Sequence, residues 1–373
     1  MKRRDFLIGL GAGAIAGGAA VSALGTRREE AAVSYPGKPT GAAARFEWKL
    51  VTSWPPDYPG ASLGLKNLAQ EMAAISEGRM EIKIYAAGEL VSGLEVFDAV
   101  SQGTIQMGHS ASYYWAGKIP ATQFFCAVPF GMIAQEMNGW LYDEGLALWR
   151  DLYARHNLYV MPSGNTGTQM GGWFRKEIRS VEDFRGVKMR IPGLGGKVVA
   201  AAGGTVVLLA ASEIYPALER GVIDSAEWVG PYVDRRLGLH QAAKFYYYPG
   251  WHEPSTANEL TINLQSWNAL PKDLQTALDN AAYKLNLWLL SVYQGMNQEA
   301  LGDLTQNHGV QLKRYPDDLL TRLRAESEKV VQQVADSDAD ARNVYDSYTK
   351  YLKASREWRD ISEDAYAVMQ MRA

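Results

Sequence analysis

The sequence predicts an α/β protein built as two lobes, and three observations carry that expectation. Short stretches of alternating apolar and polar residues take turns with helical stretches whose apolar positions recur every three or four residues. A pattern in the first half returns in the second: Glu95, Phe97, Ala99, Gly103 and Ile105 reappear as Glu213, Tyr215, Ala217, Gly221 and Ile223, each 118 positions later. The chain's 373 residues also exceed what one hydrophobic core usually supports.

Taken in order, Phe46 to Thr52 alternates as a strand, and Ser62 is placed to cap a helix carrying Leu65, Leu68, Met72 and Ile75 on one face before Gly78 ends it. Glu81 to Tyr85 alternates again. Ser92 and Glu95 have the spacing of a capping box, opening a helix with Leu94, Phe97 and Val100 inward; Gly103 closes it ahead of a strand at Ile105 to Met107. In the second copy the same plan places Glu227 where the first has His109, just beyond the strand, and the carboxyl ends of parallel strands are where open α/β sheets bind ligands. Ser180 to Arg190 reads as a helical turn and then a strand that delivers Arg190 to its end. From Pro271 a long helix carries Leu274, Leu278, Ala281, Leu285, Trp288 and Val292 on one face, followed by a strand at Val310 to Lys313. Pro316 to about Met371 is helical, with an apolar stripe of Tyr345, Tyr348, Tyr351 and Leu352 that either packs on its own domain or serves a homodimer.

The N-terminus bears Arg3 and Arg4 before an uncharged, Gly- and Ala-rich stretch from Phe6 to Gly25, which reads as a twin-arginine export signal. A membrane anchor is the competing reading, but so many glycines make a weak span. The formal charge is −3; cleavage after Ala23 removes Lys2, Arg3, Arg4 and Asp5, a net +2, and leaves −5. That balance offers neither a nucleic-acid surface nor a polybasic membrane patch, so no nucleic-acid partner is expected. Cys126, the single cysteine, lies in an apolar run and reads as a buried small hydrophobe. The expected division is a signal over residues 1–30, a first lobe of 40–156 with about 250–315, a second lobe of 157–249, and C-terminal helices over 316–373.

Chemistry concentrates in a few Gly- and aromatic-rich blocks. Gly164 to Phe174 holds Asn165 and Gln169 among glycines, where backbone and a small anion can approach closely. Arg190 sits between Met189 and the run Ile191 to Gly193; a guanidinium there grips a carboxylate with two parallel bonds, or forms a structural ion pair with Glu182 or Asp183. Glu227 and Glu253 lie in aromatic, Pro- and Gly-rich surroundings, either solvated or ion-paired, or gathered with Gln169 and the carbonyl of Trp228 around a hard cation, Na⁺ or Ca²⁺. His252 reads as a wall beside them. Five scattered histidines and one cysteine give no zinc spacing, and no G-x-S-x-G, H-E-x-x-H or P-loop is present. The abundant tryptophans keep a sugar binder or a carbohydrate-active enzyme open as an alternative.

At these blocks the chain resembles the extracytoplasmic solute-binding proteins of tripartite ATP-independent periplasmic (TRAP) transporters. Within them it is similar to the branch for 2-oxo and 2-hydroxy monocarboxylates, often labelled mannitol/chloroaromatic. The similarity spans about Phe46 to Tyr351 and is most specific at Gly164 to Phe174, Lys188 to Gly196, Glu227 to Tyr232 and Tyr246 to Pro254. The resemblance implies a two-lobe periplasmic binding protein, not an enzyme, with a hinge, a cleft and a long helix spanning both lobes. It implies Arg190 as the clamp on the substrate carboxylate, with Gln169, Glu227, Trp228 and Glu253 around a metal ion bridging to the ligand. Tyr113 or Tyr114 and Asn165 are further substrate contacts. It also implies a TRAP permease as partner and a dimer through a C-terminal helix; a ligand sensor for a signalling receptor is the alternative. One departure is the run Val233 to Arg236, more basic than usual and expected to affect surface contacts more than substrate.

Overall fold

A computed structural model describes residues 45–371, so the export signal expected over residues 1–30 lies outside the described residues. Two sheets organise the chain. The first has the order β2-β1-β3-β10-β4, from β1 (Phe46–Thr52), β2 (Met80–Tyr85), β3 (Met107–Ser110), β4 (Leu158–Asn165) and β10 (Ala257–Asn263). The second has the order β11-β9-β5-β8-β6-β7, from β5 (Gly172–Phe174), β6 (Lys188–Arg190), β7 (Thr205–Val207), β8 (Ser225–Ala226), β9 (Phe245–Tyr248) and β11 (Gln311–Arg314). Within each, the strands joined by helices are parallel: β1 with β2 and β3, and β6 with β7 and β8. The sheets are nevertheless mixed, because β10 runs antiparallel to β3 and β4, and β5 antiparallel to β8 and β9.

The sequence echo is real at the backbone. Helices Val96–Ser101 and Ala211–Glu219 each end at a left-handed glycine, Gly103 at φ 78° and Gly221 at φ 72°, a conformation that costs glycine nothing. Just beyond, Ile105 N donates to Ala99 O and Ile223 N to Ala217 O, both at 3.3 Å. Each chain then feeds a strand parallel to the lobe's entry strand. The two ends differ slightly: His109 lies within β3, which runs on to Ser110, whereas Glu227 follows directly after β8.

Several boundaries shift. The first helix, Ala61–Ile75, begins one residue before Ser62, with Gly60 as its cap, and Ser62 contributes no capping bond. The Ser92–Glu95 box forms in part, Glu95 Oε2 accepting from Ser92 N, and the third strand begins at Met107, later than expected. Sheet membership also departs from the expected lobe boundaries. β4 belongs to the first sheet, so the chain changes sheet after Asn165, not at residue 157. β11 pairs with β9, so the end of the 250–315 segment lies in the second sheet. Strand partners across the sheet, invisible to local periodicity, decide both.

The chain therefore passes between the sheets at Thr166–Gly171 and again at Pro249–Thr256. These two crossings lie side by side: Thr166 N donates to Thr256 O (3.1 Å), Gln169 N to Glu253 O (3.1 Å) and Gly171 N to Tyr247 O (2.7 Å). The helix Lys272–Asn307 packs on Ala61–Ile75 and β4 of the first sheet and on Pro231–Arg236 of the second, spanning both lobes as the resemblance implied. At about 1.5 Å per residue it is roughly 54 Å long. Cys126 is buried and free, as expected. The stripe at Tyr345 and Tyr348 packs on its own domain: Tyr348 is buried beside Trp140, and its hydroxyl accepts from Met132 N at 2.9 Å. No helix among the described residues is long and apolar enough to cross a membrane.

Candidate functional site

The crossings carry the chemistry. Arg190 ends β6, Glu227 follows β8 beside it, and the 166–171 and 249–256 segments bring Gln169, His252 and Glu253 to the same place. The parallel ladder continues one step past the strand end, with Glu227 N donating to Arg190 O at 3.2 Å, so the two side chains emerge as neighbours.

Arg190 is 1% exposed. Its Nη1 donates to Glu227 Oε1 (2.5 Å) and Glu227 O (3.1 Å), its Nε to Leu209 O (3.3 Å), and its Nη2 to Tyr114 Oη (3.5 Å). The guanidinium also lies 4.8 Å from the centre of the Trp228 ring, a cation–π contact. Burial works against its charge, but the Glu227 carboxylate and the nearby tyrosines hold its pKa above the ordinary value. Its ion-pair partner is thus Glu227, not Glu182 or Asp183; Asp183 pairs with Arg179.

Glu227 Oε2 lies 3.2 Å from His252 Nε2. Burial pushes the Glu227 carboxyl up to about 7 although Arg190 pulls it down. Glu253 is pushed to about 8, first by burial and then by the Glu227 charge. Its Oε2 accepts from Gln169 Nε2 (2.8 Å) and from the Thr256 hydroxyl. Burial lowers His252 to about 4, so its ring is neutral at pH 7. Glu227, His252 and Glu253 each offer a ligand atom within 4.8 Å of the others.

Three polar atoms here are buried and unpartnered: Gln169 Oε1, His252 Nδ1 and Asn165 Nδ2. Two carboxylates that burial and mutual repulsion disfavour, beside an amide oxygen with no donor, make an oxygen-rich set short of positive charge. The residues fit a hard cation, which takes carboxylate, amide and carbonyl oxygens.

Against this cluster lies a cavity of about 320 Å³, its open mouth included, walled by Trp54, Tyr58, Tyr113, Tyr114, Trp228 and Tyr293, with Thr166, Gln169, Val229, Thr256 and Asn258 between them. Of the expected residues, Gln169, Tyr113, Tyr114 and Trp228 line it. Arg190, Glu227 and Glu253 stand behind the lining, and Asn165 is buried with its Oδ1 accepting from Gly167 N. Sequence reading missed the aromatic wall from the first lobe: Trp228 Nε1 donates to Tyr58 Oη (2.9 Å), Tyr58 stacks on Trp54 (5.3 Å), and Trp54 Nε1 donates to His109 Nδ1 (2.7 Å). It also missed Asp234. In the run expected to affect surface contacts more than substrate, Asp234 is 1% exposed and accepts from Val229 N, Gly230 N, Trp173 Nε1 and Tyr246 Oη, holding the segment that follows Trp228. Only its position three residues after the Gly230-Pro231 helix start hinted at a capping carboxylate.

Two mixed α/β sheets joined by paired crossing segments and a shared helix, with a small aromatic cavity over a buried charged cluster, define a two-lobed solute-binding protein. The chain belongs to family 7 of the bacterial extracellular solute-binding proteins, whose model matches residues 50–338, and is a TRAP transporter solute-binding protein. It is 42% identical over 367 residues, 98% of each chain, to a monocarboxylate 2-oxoacid-binding periplasmic protein of Nostoc sp. strain PCC 7120. Its structure resembles that of a TRAP solute-binding protein of Colwellia psychrerythraea with bound calcium and pyruvate, at 39% identity and TM-score 0.84, covering 87% of this chain and 99% of that one. A TRAP solute-binding protein of Pseudoalteromonas atlantica with bound sodium and pyruvate gives 38% identity and TM-score 0.84, covering 87% and 98%.

Proposed function

We propose that this chain is a periplasmic receptor that binds a small 2-oxo or 2-hydroxy monocarboxylate together with Na⁺ or Ca²⁺ and delivers it to a TRAP permease, catalysing no reaction. The observation that carries this reading is the buried cluster of Arg190, Glu227, Gln169 and Glu253 behind a small aromatic cavity, with the amide oxygen of Gln169 unpartnered. Arg190 supplies the guanidinium for the carboxylate, with Tyr114 next to its Nη2 and Tyr113 and Asn165 as further contacts. Gln169, Glu227, the Trp228 carbonyl and Glu253 would hold the ion, which supplies positive charge for the ligand's carboxylate and 2-oxygen. The relatives that carry pyruvate with calcium or with sodium support the ligand class and the presence of a hard cation.

Arg190→Ala should abolish pyruvate binding in a calorimetric titration; undiminished affinity would sink the role assigned to Arg190. Dialysis against chelator in sodium-free buffer should weaken binding, and unchanged affinity would remove the ion. Mass spectrometry should recover the ligand unaltered, since turnover would overturn the non-enzymatic reading. Export by the twin-arginine route is part of the proposal: replacing Arg3 and Arg4 by Lys should retain the precursor in the cytoplasm. The two lobes divide at the crossings 166–171 and 249–256, and the C-terminal helices from residue 316 include a dimer surface. That surface lies farther along than the tyrosine stripe, where Trp358, Ile361, Tyr366 and Met369 are all more than half exposed.

A further inference from the structure

We propose that Asn258 is a specificity-determining residue of the cavity, selecting acids that carry a hydrogen-bonding group one or two carbons beyond C2. The inference rests on the carboxylate-receptor reading above and adds what the receptor prefers. Asn258 is the second residue of β10, opposite Gly164 of β4, and the register shifts between Asn258 and Glu259. Such an irregularity re-aims side chains. Here Glu259 turns to Trp115 and Tyr153 in the first lobe's core, while Asn258 lines the cavity. The absence of a side chain at Gly164 makes the room: a carbon added there would stand 3.0 Å from Asn258 Oδ1 and 2.5 Å from Leu289. Leu289 also lies against Gly60 beside Tyr293, which puts Asn258 on the Tyr293 side of the cavity, whereas Arg190 backs the Tyr114 and Trp228 wall.

Asn258 is only 4% exposed, yet among the described residues its side-chain amide makes no hydrogen bond. Three hydroxyls that line the same cavity bond to other groups. Tyr58 Oη accepts from Trp228, Tyr293 Oη donates to Pro59 O (3.2 Å), and Thr166 Oγ1 donates to Gly167 O (2.9 Å). An amide offers two donors and an acceptor, so Asn258 presents an unmet hydrogen-bonding group to whatever fills this part of the cavity. An aliphatic substituent there strands the amide, whereas a hydroxyl or carbonyl pairs with it. Sites built to bond a ligand hydroxyl reject the analogue that lacks it.

The test is a calorimetric comparison, at fixed calcium, of 3-hydroxypyruvate and 2-oxobutyrate, which have equal numbers of heavy atoms and differ in a terminal hydroxyl against a methyl. Pyruvate is titrated alongside. The unsubstituted protein should bind 3-hydroxypyruvate about fivefold or more tightly, and Asn258→Leu should bring the ratio to about one or reverse it. Equal or tighter binding of 2-oxobutyrate by the unsubstituted protein overturns the proposal without requiring any variant to fold. A preference retained in Asn258→Leu also overturns it, by assigning the selection to another group. Pyruvate binding without discrimination leaves the receptor reading standing while this inference fails; no binding of any of the three overturns both.

Discussion

Asp234 offers a sharp test because it does not line the cavity itself and yet holds Val229, which does. Its Oδ1 accepts from Val229 N (3.0 Å) and Gly230 N (3.1 Å), and its Oδ2 from Trp173 Nε1 (2.9 Å) and Tyr246 Oη (2.8 Å). Asp234→Ala leaves four donors in a space where each unpaired one costs about 1–3 kcal/mol. The Tyr246 hydroxyl can turn and water can enter the vacated volume, so the net loss of stability should be about 3–5 kcal/mol. Because the released segment adjoins Glu227 and Trp228, ligand affinity should also fall about tenfold or more. Asp234→Asn keeps an oxygen for the two backbone amides but faces Trp173 Nε1 with an NH₂, so it should recover most of the affinity and only part of the stability.

The pH dependence has a definite sign. Burial raises Asp234 to about 6, above its unfolded value, so the native state holds the proton longer. The unsubstituted protein therefore loses stability as pH rises from about 4 to about 6, by about 3 kcal/mol for the two-unit shift, and gains no further loss from this group above that. Asp234→Asn lacks this group, so its deficit should be largest near pH 4 and narrow toward pH 7. Urea unfolding across that range, with pyruvate titrations at pH 7, measures all of this. An Asp234→Ala protein with unchanged midpoint and affinity would refute the reasoning.

Other outcomes follow from the same geometry. Glu259, bonded by Trp115 Nε1 and Tyr153 Oη and raised by burial to about 7, should give a fall in stability between about pH 4.5 and 7; Glu259→Gln should flatten that part of the curve in urea titrations. Tyr58→Phe removes the acceptor for Trp228 Nε1 across the lobes, and stopped-flow kinetics should show ligand release about fivefold faster with the association rate little changed. Gln169→Leu removes the unpartnered amide oxygen and should raise the calcium concentration needed for half-maximal pyruvate binding by tenfold or more. Truncation after Arg356 removes the exposed Trp358, Ile361, Tyr366 and Met369, and sedimentation velocity should show loss of any dimer formed by the full chain.

Local pattern made much of the protein legible. Period-two and period-3.6 hydrophobicity located β1, β2 and the long helix, and the echo of Gly103 in Gly221 announced two copies of one strand plan, because a helix ending in a left-handed turn leaves its signature within a few residues. The blocks around Gln169, Arg190, Glu227 and Glu253 were identifiable because buried charge among glycines and aromatics is costly without a partner. The assignment of strands to sheets was not local. β4 joins the first sheet and β11 the second through partners distant in sequence, and only that pairing lays the crossings at residues 166–171 and 249–256 side by side. Hidden for the same reason were Tyr58 and Trp54 at the first lobe's wall, Asp234 beneath the loop, and the free amide of Asn258 turned inward by a shift in register. The sequence by itself determined which residues could bear a carboxylate and a cation; the tertiary structure decided that Arg190 rests against Glu227, since the geometry of a charge pair depends on strand order and register, which adjacent residues do not encode.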